Sequence, residues 1–331
     1  MSPEWPRFSQ MPDRFSITCD LSDIRLDVFL SEKLSLTRTK VKEMIDSGYV
    51  RVDGRAPKPS MRLKEHMEIE GEVPEEKPLQ LAAEEIPLDI LYEDEYFLAI
   101  NKAAGMVVHP SFGHSSGTLV NAVLGYMQRR GSRFQVPGSE KRDTDETGRN
   151  EDSLAGMRPG IVHRLDKGTT GVILVARDMA TQERLSGLFK DRKVRKTYRA
   201  VIEGKPGRDS WKVDGNIGRH PVERKKMAVL KTGGRAARTS FKVLERLAGF
   251  ACVEAYPETG RTHQIRVHLG HTGHPVVGDE TYGRKAKNLT PRPLLHACRI
   301  EFAHPVTGAA VVIEAPIPDD MRHFIEKHRG Q

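Results

Sequence analysis

The chain has 331 residues, of which 37% are hydrophobic and 30% charged, and this balance and length are typical of a globular protein with two domains. No apolar run approaches the roughly 20 residues that cross a bilayer, and the N-terminus lacks the pattern of a secretory signal. Cys19, Cys252 and Cys298 are widely separated, which excludes a disulfide framework and a Cys-x-x-Cys metal site. We therefore expect a cytoplasmic protein that is not embedded in a membrane.

The formal net charge is +8, from 53 Lys and Arg against 45 Asp and Glu. Such a charge favours a polyanionic partner, either nucleic acid or an anionic membrane surface. Charge alone does not distinguish the two.

The N-terminal quarter of the chain predicts a small module. Residues 1–20 show little periodicity and predict a loose leader. Between 21 and 74, apolar residues at helical spacing predict two short helices, and Gly48 stands where a helix would end. Val50 and Val52 alternate as in a strand, and Asp53-Gly54 is a hairpin signal.

Beyond a Pro- and Glu-rich linker at 75–87, strand-like runs dominate residues 88–331. Strands are predicted at Leu88–Tyr92, Tyr96–Asn101, Val172–Ala176, Tyr198–Glu203, Ser240–Leu244, Cys252–Ala255 and Val311–Glu314. Helices are predicted at Ser116–Arg129, Met179–Phe189, Gln264–Leu269 and Asp320–His328. The segment Gly131–Gly160 predicts a long polar loop. This order of elements favours an α+β fold with a large, mainly antiparallel sheet.

The segment GIVHRLDKGTTGVILVAR, Gly160–Arg177, places a carboxylate, Asp166, between Arg164 and Lys167. A Gly-Thr-Thr-Gly turn follows, and then an apolar run that predicts a buried strand. Catalytic groups concentrate on loops that a rigid scaffold holds in place. The alternative is a surface ion pair beside a turn. Local spacing leaves both interpretations open.

The segment RLDVFLSEKLSLTRTKVKEMIDSGYVRVDGR, Arg25–Arg55, resembles the S4 RNA-binding domain. In that family the second helix and the following turn lie against RNA phosphates. The resemblance implies RNA contacts by Arg38, Lys40, Lys42 and Arg51. A solvated helix face is the alternative.

Four further segments resemble the RluA family of pseudouridine synthases. They are Ile100–Pro110 (INKAAGMVVHP), the HRLDKGTTG motif at 163–171, Arg195–Gly204 (RKTYRAVIEG) and Glu258–Gly283 (ETGRTHQIRVHLGHTGHPVVGDETYG). The resemblance implies a cofactor-independent enzyme that flips a uridine out of structured RNA and isomerises it. It implies Asp166 as the catalytic carboxylate, Tyr198 as the tyrosine that stacks on uracil, and Arg266 as the cation that pairs with the aspartate.

The combination with an S4 domain is typical of the RluD-like branch, which implies 23S ribosomal RNA as the target and a monomeric enzyme. One departure is Gly168, where this family pattern has aspartate. The resemblance also implies that Arg164 enters the space left by the flipped base. Beyond the S4-like positions, the candidate RNA contacts are Arg164, His163, Lys193, Arg195, Lys196, Arg261 and His263.

Two other classes of function are alternatives to a pseudouridine synthase. A metal enzyme is suggested by His263, His268, His271 and His274, but their spacing is not His-Glu-x-x-His and no cysteine pair completes a zinc set, so no metal site is expected. A non-catalytic RNA-binding or ribosome-assembly protein would explain the basic residues. It would not need Asp166, Tyr198 and Arg266 in three separate segments.

Overall fold

The structure, a computed structural model, describes residues 13–74, 82–109, 116–130, 160–223 and 226–330. The chain divides into two compact units, Met1–Leu79 and Gln80–Gln331. The predicted polar loop at 131–160 lies outside the described residues, except for Gly160. The finer domain boundaries predicted from the sequence, at residues 20, 74 and 87, stay predictions.

The N-terminal unit packs two helices on a small antiparallel sheet. The strands are β1 (Asp13–Thr18), β2 (Val50–Val52) and β3 (Glu68–Val73), in the order β1-β3-β2, and the helices are α1 (Leu26–Lys33) and α2 (Arg38–Asp46). The prediction of a loose leader over 1–20 is wrong from residue 13, because β1 pairs with β3 along its whole length. Phe15 and Ile17, two residues apart, place their side chains on one face of that strand and pack against the core.

Local signals fix the ends of these elements. The Thr37 side chain accepts a hydrogen bond from the Lys40 backbone N–H at 3.3 Å and begins α2. Gly48 follows the end of α2 with a φ of 80°, the left-handed conformation that suits glycine. Asp53 and Gly54, with φ of 48° and 75°, form the tight turn that the sequence predicts.

A buried carboxylate ties α1 to α2. The Asp27 side chain is 7% exposed, and its oxygens accept hydrogen bonds from Arg25 at 2.9 and 3.0 Å and from Arg38 at 2.8 Å. The hydrogen bonds from Arg25 are the largest cause of the lowered pKa of Asp27, which is about 2. The hydrogen bond from Arg38 lowers this pKa further. One nitrogen of Arg38 is therefore used inside the unit, while its predicted RNA contact stays a prediction.

We expect the N-terminal unit to weaken in acid through Asp27. Its folded pKa of about 2 lies below the ordinary 3.8, so its stabilisation is complete above about pH 4 and is lost as the pH falls towards 2. Asp27→Asn should destabilise the unit by about 1–3 kcal/mol and remove this pH dependence. Hydrogen exchange over residues 24–52, corrected for intrinsic rates, measures both effects.

The matched control is Asp20→Asn, because Asp20 pairs with Lys33 at 2.9 Å but is 59% exposed. That variant should keep the acid dependence. An unchanged acid dependence in Asp27→Asn would contradict the assignment.

The C-terminal unit is built on one large sheet. Its strands are β4 (Ile90–Glu93), β5 (Phe97–Lys102), β6 (Thr170–Ala176), β7 (Arg195–Glu203), β8 (Ser210–Arg219), β9 (Met227–Leu230), β10 (Arg235–Arg246), β11 (Phe250–Pro257), β12 (Leu295–Ala303) and β13 (Ala310–Glu314). The strand order is β4-β5-β6-β12-β7-β11-β10-β8-β9, and β13 also pairs with β12. Its helices are α3 (Leu119–Arg129), α4 (Met179–Lys190), α5 (Gln264–His271) and α6 (Asp319–His328). The predicted α+β class with a mainly antiparallel sheet is confirmed.

Strand β12 joins the two halves of this sheet. It pairs with β6 in parallel through His296 and Ala297, and with β7 in the antiparallel direction along most of its length. Gly171 of β6 has a φ of 107°, and a Cβ there would lie 2.2 Å from the Ala297 carbonyl oxygen. Glycine at 171 therefore permits the close approach of β6 to β12.

Every residue of β6 is buried, as its apolar run predicts. Ile173 packs in a cluster with α3 residues such as Leu119, whereas Leu174 packs in a cluster with Leu185 of α4. Because neighbouring strand residues point to opposite faces, α3 and α4 cover opposite faces of β6. None of the helices in the described ranges has the length and apolar character needed to cross a membrane.

Residues 82–87, the second half of the predicted linker, pack against α3. The Glu84 carboxylate accepts hydrogen bonds from the Gly117 N–H at 3.0 and 3.1 Å, and the Asn121 side chain donates to the Ala82 carbonyl at 2.8 Å. These contacts attach the segment to the C-terminal unit.

Candidate active site

The Asp166 loop precedes β6 and is anchored at both ends. Ile161 and Leu165 are buried in the same cluster as Ile173. The Thr169 N–H donates to the Asp166 carbonyl at 3.0 Å, which closes a tight turn around the aspartate. The aspartate therefore projects from a loop with a fixed backbone, as the apolar run after it predicts.

Arg266, on the first turn of α5, contacts Asp166. Its Nη1 donates to Asp166 Oδ2 at 3.0 Å, although the two residues are 100 positions apart in the sequence. The Arg266 side chain is 9% exposed and that of Asp166 24%. The pairing expected from the family resemblance is present in the structure.

A second carboxylate, Asp279, orients Arg266. It accepts Arg266 Nε at 2.7 Å and Nη2 at 2.8 Å, a two-pronged contact that leaves Nη1 for Asp166. The Asp279 side chain is fully buried, and its Oδ1 also accepts the N–H groups of Thr281 and Tyr282. Burial opposes the charge of Arg266, but the bonds to Asp279 and the proximity of Asp166 outweigh burial and raise the pKa of Arg266 above its ordinary value. No role for Asp279 is predicted from the sequence, because it stands in a turn-like Gly-Asp-Glu-Thr-Tyr-Gly segment.

Lys102 lies buried beside the same loop. Its Nζ donates to the carbonyls of Ala103 at 2.9 Å, Met106 at 2.8 Å and Lys167 at 3.2 Å. Burial lowers the pKa of Lys102 to about 8, and the negative charge of Asp166 opposes that effect. Lys102 therefore supplies a second positive charge near Asp166 and a backbone contact that holds the loop.

Asp166, Arg266 and Tyr198 line one cleft of about 300 Å³. Tyr198, on β7, is half-buried and pairs with Ala255 and Ala297 on either side in the sheet. Burial raises the pKa of Tyr198, and the charge of Asp166 raises it further. The phenol is therefore protonated at neutral pH.

Five of the predicted RNA contacts line the same cleft: His163, Arg164, Lys196, Arg261 and His263. Arg164 is exposed at the cleft. Burial lowers the pKa of Lys196 to about 8, so Lys196 is charged at pH 7. The remaining two predicted contacts of this unit, Lys193 and Arg195, lie outside the cleft, and Arg38, Lys40, Lys42 and Arg51 belong to the N-terminal unit.

His163 is fixed by contacts within the protein. Its Nε2 accepts the Leu174 N–H at 2.9 Å, and its ring stacks on Phe189 at 4.6 Å between centroids. Burial, aided by the charge of Lys196, lowers the pKa of His163 to about 3. His163 is therefore neutral and cannot attract phosphate by charge.

The segment before α5 forms one wall of the cleft. Gln264 holds it in place: its Oε1 accepts from Thr259 at 2.7 Å and from the Arg261 N–H at 3.0 Å, and its Nε2 donates to the Arg238 carbonyl at 3.0 Å. His263 has a left-handed backbone with φ of 55°, and its ring bonds the Tyr282 hydroxyl at 2.9 Å.

Three of the four histidines considered as metal ligands bond different partners. His263 bonds Tyr282, His268 bonds Thr239 and His274 bonds the Glu203 carbonyl. Among the residues that the structure describes, no three His, Cys, Asp or Glu side chains are arranged to hold a metal ion.

Gly168, the departure from the family pattern, contacts Pro293. A Cβ at 168 would lie 2.9 Å from Pro293 Cδ, closer than side-chain carbons approach other atoms without displacement. In this chain the loop after Asp166 therefore packs closely against residues 292–293.

The chain belongs to the RNA pseudouridylate synthase family, whose model matches residues 96–271, and an S4 domain model matches residues 24–69. The protein is thus a pseudouridine synthase with an N-terminal S4 domain. Membership of a family of enzymes favours an enzyme over the alternative of a non-catalytic RNA-binding or ribosome-assembly protein.

Relatives that are similar to this chain along most of its length are also pseudouridine synthases by name. The chain is 40% identical over 306 residues to an uncharacterized RNA pseudouridine synthase of Bacillus subtilis, YlyB, covering 92% of this chain and 94% of the relative. It is 37% identical over 332 residues to ribosomal large subunit pseudouridine synthase D of Neisseria meningitidis, covering 96% of this chain and 82% of the relative. The solved structure of human RNA pseudouridylate synthase domain containing 4 shares the fold, with a TM-score of 0.54 at 24% identity, over 72% of this chain and 92% of that one.

Asp279→Asn should destabilise the C-terminal unit by about 3 kcal/mol or more, because the amide presents a donor to Arg266 and leaves that cation partly unpaired in a buried site. Hydrogen exchange over residues 264–283 and thermal unfolding measure the change. The control is Asp214→Asn, which removes a carboxylate that bonds Arg238 at 2.7 Å but is 55% exposed, and should shift stability by less than about 1 kcal/mol. Equal shifts in the two variants would contradict the role given to Asp279.

Proposed function

We propose that this synthase isomerises uridines of large-subunit ribosomal RNA, with Asp166 as its catalytic carboxylate and Arg266 and Tyr198 as its partners in the cleft. The observation that carries the proposal is the 3.0 Å contact between Asp166 and Arg266, with Arg266 itself fixed by Asp279. This arrangement orients a carboxylate in a partly enclosed site.

The reaction can proceed with one carboxylate. Pseudouridine formation breaks the N1–C1′ bond of uridine, turns the uracil and rejoins it through C5. Ordinary glycosidases use two carboxylates, because the leaving group departs and water replaces it. Here the uracil stays in the site and is recaptured. Attack on the sugar, attack on the base and removal of a ribose proton all start from the carboxylate of Asp166, which Arg266 contacts and orients.

Tyr198 supplies a flat surface and a neutral hydroxyl in this proposal. Its ring lines the cleft with Asp166, so a uracil that reaches the carboxylate can stack on it. The raised pKa keeps the phenol protonated, so Tyr198 can donate a proton or a hydrogen bond but does not act as a ready base at neutral pH.

The target uridine reaches this cleft by leaving its stack. A cleft of about 300 Å³ is at the small end for ligand sites and accommodates one nucleotide rather than a helix. An enzyme that modifies a stacked base must therefore extrude it. In this proposal Arg164, which is exposed at the cleft, fills the space that the base leaves, and Lys196 and Arg261 contact the backbone phosphates beside it.

The choice of ribosomal RNA rests on the relatives and on the S4 domain. The Neisseria meningitidis relative is described as acting on the large ribosomal subunit, and it is similar along nearly the whole of this chain. The basic helix α2 of the S4 domain, with Lys40 and Lys42, supplies contacts that do not depend on sequence. We also propose that the enzyme is cytoplasmic and acts as a monomer.

Asp166→Asn should abolish isomerisation and leave RNA affinity within about threefold, because the amide keeps the size of the side chain but not its charge. Release of tritium from 5-tritiated uridine in a ribosomal RNA transcript measures turnover, and filter binding measures affinity. Asp191→Asn, at the exposed end of α4, is the control and should keep full activity. Turnover near normal in Asp166→Asn would defeat the assignment of this residue.

Cells that lack this protein should lose pseudouridines in 23S ribosomal RNA. Reverse-transcription stops after carbodiimide labelling map them, and a plasmid copy with Asp166 intact should restore them while the Asp166→Asn copy should not. Loss confined to transfer RNA would reject the ribosomal target but keep the enzyme.

A further inference from the structure

Arg292 lies behind the Asp166 loop, and all its nitrogens are engaged. Nε and Nη2 bond the two oxygens of Asp320 at 2.6 and 2.7 Å. Nη1 donates to the carbonyls of Gly168 at 3.3 Å, Pro293 at 2.9 Å and Leu295 at 3.3 Å. The Arg292 side chain is 8% exposed and is not part of the cleft wall.

The carboxylate that holds Arg292 belongs to the C-terminal helix. Asp320 stands in the first turn of α6 and also accepts the Met321 N–H at 2.8 Å. Met321 is fully buried and packs with Leu294 and Val277 in one cluster. Helix α6 is thus fixed to the core, and through Asp320 it fixes the direction of the Arg292 guanidinium.

Two contacts pass from this segment to the loop. Arg292 Nη1 reaches the carbonyl of Gly168, two residues after Asp166. The Pro293 ring lies against the same glycine, so closely that a Cβ at 168 would be 2.9 Å from Pro293 Cδ. Arg266 restrains the carboxylate end of Asp166, whereas residues 292–293 restrain the backbone that follows it.

We infer that Arg292, oriented by Asp320, is a positioning residue for the reaction. By binding the Gly168 carbonyl, it holds the Asp166 loop in the position from which the carboxylate contacts both Arg266 and the substrate. The inference rests on the proposed role of Asp166. Displacing a reacting group by about 1 Å can lower a rate on the order of a hundredfold, so a restraint on the backbone of the loop has a kinetic effect without touching RNA.

The test is Arg292→Ala, assayed for kcat, KM and RNA affinity. We expect kcat to fall on the order of a hundredfold, with KM and the RNA Kd changed by less than about threefold because Arg292 does not line the cleft. Guanidinium at low millimolar concentration should restore part of kcat by occupying the vacated space. The control is Arg322→Ala, which breaks an exposed ion pair with Asp319 on the same helix and should leave kcat unchanged.

Asp320→Asn provides a milder, independent variant. The amide oxygen can still accept the Met321 N–H, but the charge that orients Arg292 is lost. We expect kcat to fall about tenfold, an intermediate effect with KM again unchanged. If Arg292→Ala does not fold, the kcat of Asp320→Asn decides the question.

The inference is overturned if Arg292→Ala folds and keeps kcat within about threefold, if only KM or RNA affinity changes, or if Asp320→Asn has normal kcat. Failure of the proposed function is seen separately, as turnover by Asp166→Asn. An inactive Asp166→Asn beside a fully active Arg292→Ala would reject the positioning role alone.

Discussion

The site depends on one cation shared by two carboxylates. Asp279 binds two nitrogens of Arg266 in a fully buried contact and leaves the third nitrogen for Asp166. Arg266 is therefore held in place and does not follow Asp166 if the loop moves. The contact between the two side chains depends on the position of the loop. The ammonium of Lys102, held by three carbonyls, adds a second positive charge nearby. Two carboxylates and two cations bring the site near neutrality, which lowers the electrostatic penalty of enclosing them.

The scaffold explains how residues from distant segments keep this geometry. Asp166 lies on the loop before β6, a strand buried on both faces, Tyr198 stands within β7, and Arg266 lies in the first turn of α5. Each of these side chains is carried by an element that packs against its neighbours, and Arg164, Lys196 and Arg261 bring positive charge to the wall of the same cleft. The cleft is thus built on rigid elements of the sheet and of α5.

Much of this organisation could be predicted from sequence, since apolar spacing locates α1, α2, α4 and β6, and the family motifs identify Asp166, Tyr198 and Arg266. Other parts could not. Strand β12 carries His296, Cys298, Arg299 and Glu301 and shifts register after Ala297, so its pattern of alternation is broken. Asp279 and Arg292 resemble surface residues of turns, and only the closed fold shows them buried beside the loop. Strand β1 was missed because its pairing partner, β3, lies some 50 residues away in the chain.

Strand β12 stands between β6 and β7 in the sheet, yet it is synthesised after both of them and after β8 to β11. The strands that precede β12 in the chain form two groups, β4 to β6 on one side of it and β7 to β11 on the other. Each group has an unpaired edge until residues 295–303 pair with both. The aspartate belongs to one group, and the tyrosine belongs to the other. During its own translation the nascent polypeptide therefore cannot complete the cleft that Asp166 and Tyr198 share until residues 295–303 have been synthesised.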